Sequence, residues 1–295
     1  MLESFVTWTL LAALMQAVRT AAQKTLNQTV SVQSATLVRY LFGLPFVVIY
    51  GAFLLESSVI DRVTGNFFVK VLVAGLLQIF ATMLLVYLFS LRSFAVGSTT
   101  IRLEIVITAV LGILLFAEPL EWIALAGMVV CTLGLVRVYA KPVSVGGWIR
   151  RDAVIGLVAA LAFSLTSLLV RDASLGLELP SPVTAAGFTL LCMVMLQTAV
   201  CLAIVTWQRP AELKQVARQW RLSSFIGLTS VLGSIGWFTA FTLEGAAVVK
   251  TLGQVELIFA LLIAYFFFSE RPSVKEWQGI GLMLLGIALV LLAEF

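Results

Sequence analysis

A long-range internal repeat constrains this chain more than any other feature. Shifting the numbering by 152 places Glu104 on Glu256, Glu118 on Glu270, Gly127 on Gly279 and Gly134 on Gly286, with Phe89 on Phe241 and Leu91 on Leu243 upstream. Each copy has a glutamate in the middle of an apolar run, a second glutamate fourteen residues later at its end, and a glycine-bearing apolar segment behind it. Hydrophobic residues make up 61% of the 295 and charged residues 12%, which is too apolar for a soluble domain of this length. Mean hydropathy is +1.08. A helix needs roughly 20 apolar residues to cross a bilayer, and ten such segments with short connectors use almost the whole length.

The reading is therefore an all-α membrane protein with ten transmembrane helices in two inverted five-helix repeats. Expected segments run near 4–25, 34–55, 67–90, 93–116 and 120–139, then 153–170, 183–207, 222–243, 246–269 and 274–293. Residues 1–140 form the first repeat and 153–295 the second. The linker 141–152 carries Lys141, Pro142, Gly146, Gly147, Arg150 and Arg151. Five helices per repeat is an odd number, so the second copy lies inverted relative to the first, an arrangement common in transporters. Pro45 removes a backbone hydrogen bond and should bend the second segment. Small residues at Gly227, Ser230, Gly233 and Gly236, and at Gly127, Cys131 and Gly134, form ridges that permit close helix contact.

Orientation follows from the basic residues. Of the 19 Lys and Arg, odd-numbered connectors hold Lys24, Arg92, Arg137, Lys141, Arg150, Arg151, Arg209, Lys214, Arg218, Arg221, Arg271 and Lys275. Even-numbered connectors hold only Arg62, Lys70 and Arg171. The positive-inside rule then puts the odd connectors in the cytoplasm and both termini on the other side. The first residues, with Glu3 and no basic stretch, do not read as a cleaved leader.

Charges within apolar helices are costly and mark function by default. Here they are Arg19, Arg39, Arg102, Glu104, Lys250 and Glu256. Gln16, Arg19, Gln23 and Asn27 recur at helical spacing as one polar stripe. On a continuous helix Arg102 lies about 200° from Glu104, so the two point to different faces. The repeat-mate of Arg102 is Gln254, and that of Lys250 is Ser98. Two i, i+4 pairs with the cation at opposite ends break the pseudo-symmetry, as an asymmetric substrate requires. The candidate substrate-binding set is Arg19, Arg39, Arg102, Glu104, Lys250, Gln254, Glu256, Tyr87 and Trp237, with Gln78 as a further wall residue. Its surplus of cations suits a carboxylate or phosphate, while the glutamates can accept an ammonium or a proton.

The sequence has no histidine, which removes His-based catalysis, His metal ligation and His proton relays. Asp61, Asp152 and Asp172 lie in or beside loops, so an enzyme is not expected. Cys131, Cys192 and Cys201 lie in apolar runs without a C-x-x-C pair and read as packing residues. No cofactor or metal is expected.

The paired repeats, Ala117-Glu118 and Ser269-Glu270 at the ends of the fourth and ninth segments, the glycines at 127, 134, 279, 281 and 286, and Arg39-Tyr40 resemble the drug/metabolite transporter superfamily of the EamA-like type. The resemblance covers essentially the whole chain. It implies a multi-pass protein of a bacterial-type inner (plasma) membrane, working by alternating access as the two halves rock, with protons or exchange as candidate driving forces. Where that family shows Gly-Glu, this chain has Ala117 and Ser269, which removes the glycine reason for a tight turn. Relatives of this type usually keep both termini in the cytoplasm, opposite to the basic-residue count, and the count is preferred. The function expected is transport of a small zwitterionic or anionic metabolite such as an amino acid. The alternative is a lipid-translocating or multidrug protein with a laterally open cationic pocket. Partners are the substrate and the bilayer, not nucleic acid, for a monomer or homodimer.

Overall fold

The computed structural model describes residues 4–54, 57–90, 100–139, 151–268 and 273–294, and among them there are helices and no strands. The helices are α1 (Phe5–Leu26), α2 (Val32–Leu41), α3 (Leu44–Leu54), α4 (Ser57–Ile60), α5 (Gly65–Ser90), α6 (Glu104–Phe116), α7 (Trp122–Tyr139), α8 (Arg151–Leu175), α9 (Pro182–Gln208), α10 (Pro210–Arg218), α11 (Trp220–Leu243), α12 (Ala246–Gly253), α13 (Glu256–Phe268) and α14 (Val274–Glu294). Nine helical spans among the described residues are long and apolar enough to cross a membrane, and α6 is a shorter apolar helix. Together they supply the ten expected segments. Most of the linker, residues 140–150, lies outside the described residues, as do Ser98, Ser269 and Glu270.

Apolar side chains at the outer positions, such as Phe53, Leu114, Leu115 and Phe266, are exposed, as lipid-facing residues should be. Buried hydroxyls mostly bond the carbonyl one turn back, as Thr9 does to Phe5 O and Thr251 to Ala247 O. That satisfies polar groups inside the segment where no water can do so.

The chain forms two compact units that cut across the sequence repeats. Unit 1 comprises residues 1–79 and 169–244, and unit 2 comprises residues 80–168 and 245–295. In unit 1, α1 and α11 pack antiparallel. A Cβ on Gly236 would stand 2.6 Å from Trp8 O, and one on Gly233 3.4 Å from Met15 Cβ. In unit 2, α7 and α14 also pack antiparallel. A Cβ on Gly134 would stand 2.6 Å from Gly279 O, and one on Gly286 would collide with Cys131 N. The small-residue ridges thus permit backbone-to-backbone approach.

Connectors alternate faces. In unit 1 the first and seventh meet: Ser31 donates from N and Oγ to Glu212 Oε2 at 3.0 and 2.6 Å, and Gln215 donates to Thr29 O at 2.7 Å. The second and sixth meet through Arg62 and Glu178 at 3.9 Å. In unit 2 Arg137, beside the fifth connector, donates to Gln278, beside the ninth, at 2.9 Å.

Three local features depart from expectation. The second segment is interrupted at Phe42–Gly43, and Pro45 falls in the first turn of α3, where its missing N–H leaves no bond unmade. The interruption lies against α11, since a Cβ on Gly227 would collide with the Phe42 carbonyl carbon. Ala117 takes the turn expected only of glycine: its φ of 52° and ψ of 32° are left-handed, and its N–H and that of Glu118 both reach Gly112 O. The third departure builds the candidate site.

Candidate functional site

The fourth and ninth segments are not continuous helices. Chain turns at Arg102–Leu103 and again at Gln254–Val255, positions separated by the repeat offset of 152, and α6 and α13 begin at Glu104 and Glu256. The hydrogen bonds tighten to a 3₁₀ pattern there: Leu103 N to Thr100 O at 3.1 Å, Gln254 N to Thr251 O at 3.2 Å, and Val255 N to Leu252 O at 3.1 Å. A mid-helix 3₁₀ stretch is a site where a helix can bend. Each glutamate therefore begins a helix, where the macrodipole favours a negative charge. The 200° separation of Arg102 and Glu104 expected on an unbroken helix does not apply across this turn.

Within unit 2 the breaks bring four of the sequence-selected residues into one network. Arg102 donates from Nη1 to Gln254 Oε1 at 3.0 Å, so two repeat-mates bond each other. Residues related by a two-fold can touch only beside its axis, and the pseudo-two-fold of unit 2 therefore passes between them. Arg102 also donates to Tyr139 Oη at 3.0 Å, with its guanidinium carbon 4.7 Å from that ring centroid. Gln254 turns its amide nitrogen back to Lys250 O at 3.1 Å.

Lys250 Nζ, almost wholly buried, donates to Phe163 O at 3.0 Å and stands 3.7 Å from Glu104 Oε2. The backbone carbonyl of Glu104 accepts from Thr108 and Ser164 hydroxyls at 2.6 and 3.0 Å, and the two hydroxyl oxygens lie 2.9 Å apart. These hydroxyls tie α6 to α8 beside the break. The charges of Glu256 and Glu104 both act on Arg102. The arrangement presents cations and carboxylates of both repeats on short, interrupted helices, able to hold a group of either sign.

Tyr87 lies in unit 2 and is half-buried. Arg19, Arg39 and Trp237 belong to unit 1. Trp237 donates from Nε1 to Gln16 Oε1 at 3.0 Å and stacks on Phe241. Gln78 bonds Gln197 at 2.7 Å, also in unit 1. Tyr139, Phe163, Thr108 and Ser164 were missed by sequence reasoning. An uncharged side chain in an apolar run, or a backbone carbonyl, carries no mark of the partner it meets from another helix.

An all-helical membrane chain with inverted repeats, whose interrupted helices meet at charged residues near the pseudo-axis, has the architecture of a secondary transporter. It belongs to the EamA-like transporter family, which matches residues 4–140 and again 151–292. The membership agrees with the resemblance to the drug/metabolite transporter superfamily. Relatives include a protein of Photorhabdus laumondii named probable 4-amino-4-deoxy-L-arabinose-phosphoundecaprenol flippase subunit ArnE. It is 25% identical over 113 residues, which is 98% of its length and 37% of this chain. A protein of the same name from Proteus mirabilis is 29% identical over 109 residues, 96% of its length and 35% of this chain. A crystal structure of a protein with 16% identity aligns with a TM-score of 0.72, covering 98% of this chain and 96% of the other, and shares its fold.

Proposed function

We propose that this transporter moves a substrate whose head carries both an anionic and a cationic group, attached to a lipid, and that Arg102, Lys250, Gln254, Glu104 and Glu256 receive that head. The observation that carries the reading is the pair of repeat-related helix breaks, which join Arg102 to its repeat-mate Gln254 and set Lys250 against Glu104. Cations accept a phosphate or carboxylate, and the glutamates accept an ammonium. The relatives named above support the lipid-linked form, since the substrate in their names combines an amino sugar, a phosphate and a polyprenol. The 3₁₀ turns are the points at which α6 and α13 tilt during alternating access.

The test uses proteoliposomes containing the purified protein. A short-chain polyprenyl phosphate bearing an amino sugar should cross the bilayer faster than in protein-free vesicles, and Lys250→Ala and Arg102→Gln should each slow it at least tenfold. Uptake of free amino acids without movement of the lipid-linked probe would refute the lipid assignment and favour a soluble zwitterion. Unchanged rates in both variants would remove the network from the substrate path.

A further inference from the structure

We infer that the seventh connector of unit 1 carries a binding surface for anionic phospholipid, built on Lys214, Arg218 and Arg221 between the exposed rings of Trp207 and Trp220. The inference stands apart from the transport reading, because none of these residues belongs to the charged network of unit 2. Both α9 and α11 are long and apolar enough to cross the bilayer. The nine-residue α10 follows α9 after Arg209 and precedes α11 after Gln219, so it is held at the membrane surface by the ends of two spanning helices. Trp207, in the last turn of α9, is 86% exposed, and Trp220, the first residue of α11, is 58% exposed. Indole rings at the ends of spanning helices settle at the level of the headgroups.

One face of α10 is committed to the body of unit 1. Glu212, Gln215, Val216 and Gln219 recur at helical spacing. Glu212 accepts from Ser31 N and Oγ, Gln215 donates to Thr29 O, and Gln219 donates to Thr29 Oγ1 at 2.9 Å. Val216 is buried in a cluster with Leu26, Val38 and Ile226. Lys214 and Arg218 each stand two residues from a member of that face, Glu212 and Val216, which is about 200° around the helix. Both are exposed. At i, i+4 their Cβ atoms are about 6 Å apart, close enough for both side chains to reach one phosphodiester.

The two ends of unit 1 treat their cations differently. At the end formed by the even-numbered connectors the protein answers them itself: Arg62 stands 3.9 Å from Glu178, Lys70 stands 2.8 Å from Asp172, and Arg171 donates to the carbonyls of Phe241 and Glu244, both at 2.6 Å. At the α10 end no carboxylate of the described residues pairs with Lys214, Arg218 or Arg221. Arg221 holds its guanidinium carbon 5.6 Å from the centroid of the Trp220 ring, a cation–π distance. The one acid of the connector, Glu212, faces inward, and the charge of Arg209 acts on it there. A cationic face without an anion of its own, bounded by two interfacial rings, fits the headgroup of an anionic lipid, whose phosphodiester meets the cations while its glycerol and acyl boundary meets the indoles. Because the inner face already fixes α10, binding requires little further ordering.

The experiment is a thermal-shift titration of the purified full chain in a non-ionic detergent. Short-chain phosphatidylglycerol and phosphatidylcholine are the probes, with glycerol phosphate as the headgroup without its lipid. Saturable stabilisation by phosphatidylglycerol is expected, with an apparent affinity about tenfold tighter than for phosphatidylcholine and weakened by added salt. Lys214→Gln combined with Arg218→Gln should weaken the phosphatidylglycerol response about tenfold, while the phosphatidylcholine response and the midpoint without lipid stay as they were, since both side chains are exposed and the inner face is untouched. Arg62→Gln, a loss of charge at the other end of unit 1, should leave the phosphatidylglycerol response unchanged. Equal responses to the two lipids, a response undiminished in the double variant, or an equal loss in Arg62→Gln would overturn the assignment. Stabilisation by glycerol phosphate as strong as by the lipid would overturn it in favour of a soluble anion.

Discussion

The Glu104–Lys250 pair offers a quantitative test of how the charged network is held. The two groups are 3.7 Å apart, with side chains 19% and 8% exposed. At an effective dielectric constant of about 20 their attraction is about 4 kcal/mol, and removing one partner of a buried pair costs about 3–5 kcal/mol because the other is left uncompensated. Glu104→Gln keeps the shape and strands the Lys250 ammonium, which retains only the Phe163 carbonyl; a loss of about 3 kcal/mol is expected. Lys250→Met leaves Glu104 at the start of α6, where the helix dipole recovers up to about 1 kcal/mol, so about 2 kcal/mol is expected. The double variant leaves neither charge stranded and should lose no more than about 1 kcal/mol. Unfolding by SDS titration in mixed micelles, followed by tryptophan fluorescence, measures all three. Additive losses within about 0.5 kcal/mol would refute the direct coupling.

Four further outcomes follow from the packing and the connectors. Gly286→Ala drives a methyl into Cys131 N and should lose about 1–3 kcal/mol, whereas Gly281→Ala meets nothing within 4 Å and should be neutral or gain up to about 1 kcal/mol in the same unfolding assay. Ala117→Gly relieves a left-handed alanine and should stabilise by about 1 kcal/mol, read as a raised midpoint. Burial pushes the Glu212 carboxyl up, but bonds from Ser31 and Ser34 and the charge of Arg209 outweigh it and hold the group below its ordinary value. Its stabilising contribution is therefore full above the unfolded carboxylate pKa of about 4.3 and lost as pH falls through the lower folded value, and Glu212→Gln should flatten the acid limb of midpoint against pH. Impermeant thiol labelling from outside should reach Ser181→Cys and spare Val145→Cys, and the reverse pattern would turn the chain over.

The ten segments were legible because crossing a bilayer demands a length of apolar sequence, and the repeat was legible because an identical offset preserved charged and glycine positions. The breaks at 102–103 and 254–255 were not. No proline or glycine adjoins the first, Gly253 directly precedes only the second, and a tightened turn leaves apolar periodicity almost unchanged. Arg102, Glu104, Lys250 and Gln254 could be selected as misplaced polarity, yet the bond between Arg102 and Gln254 depends on the fold of the repeats upon each other. Ala117 shows a complementary failure: the glycine signal for a left-handed turn was missing, and the chain makes the turn regardless.

The crossing of sequence repeats and compact units has a consequence for biogenesis. Unit 1 requires α9, α10 and α11, and α7 of unit 2 lies unpaired until α14, the last helix described, has been synthesised. During translation, the face of α1 that receives the glycines of α11, and the glycine-lined face of α7, must wait in lipid for partners encoded more than a hundred residues downstream. Severing the chain in the linker and co-expressing the pieces should therefore restore both units, while either piece alone completes neither.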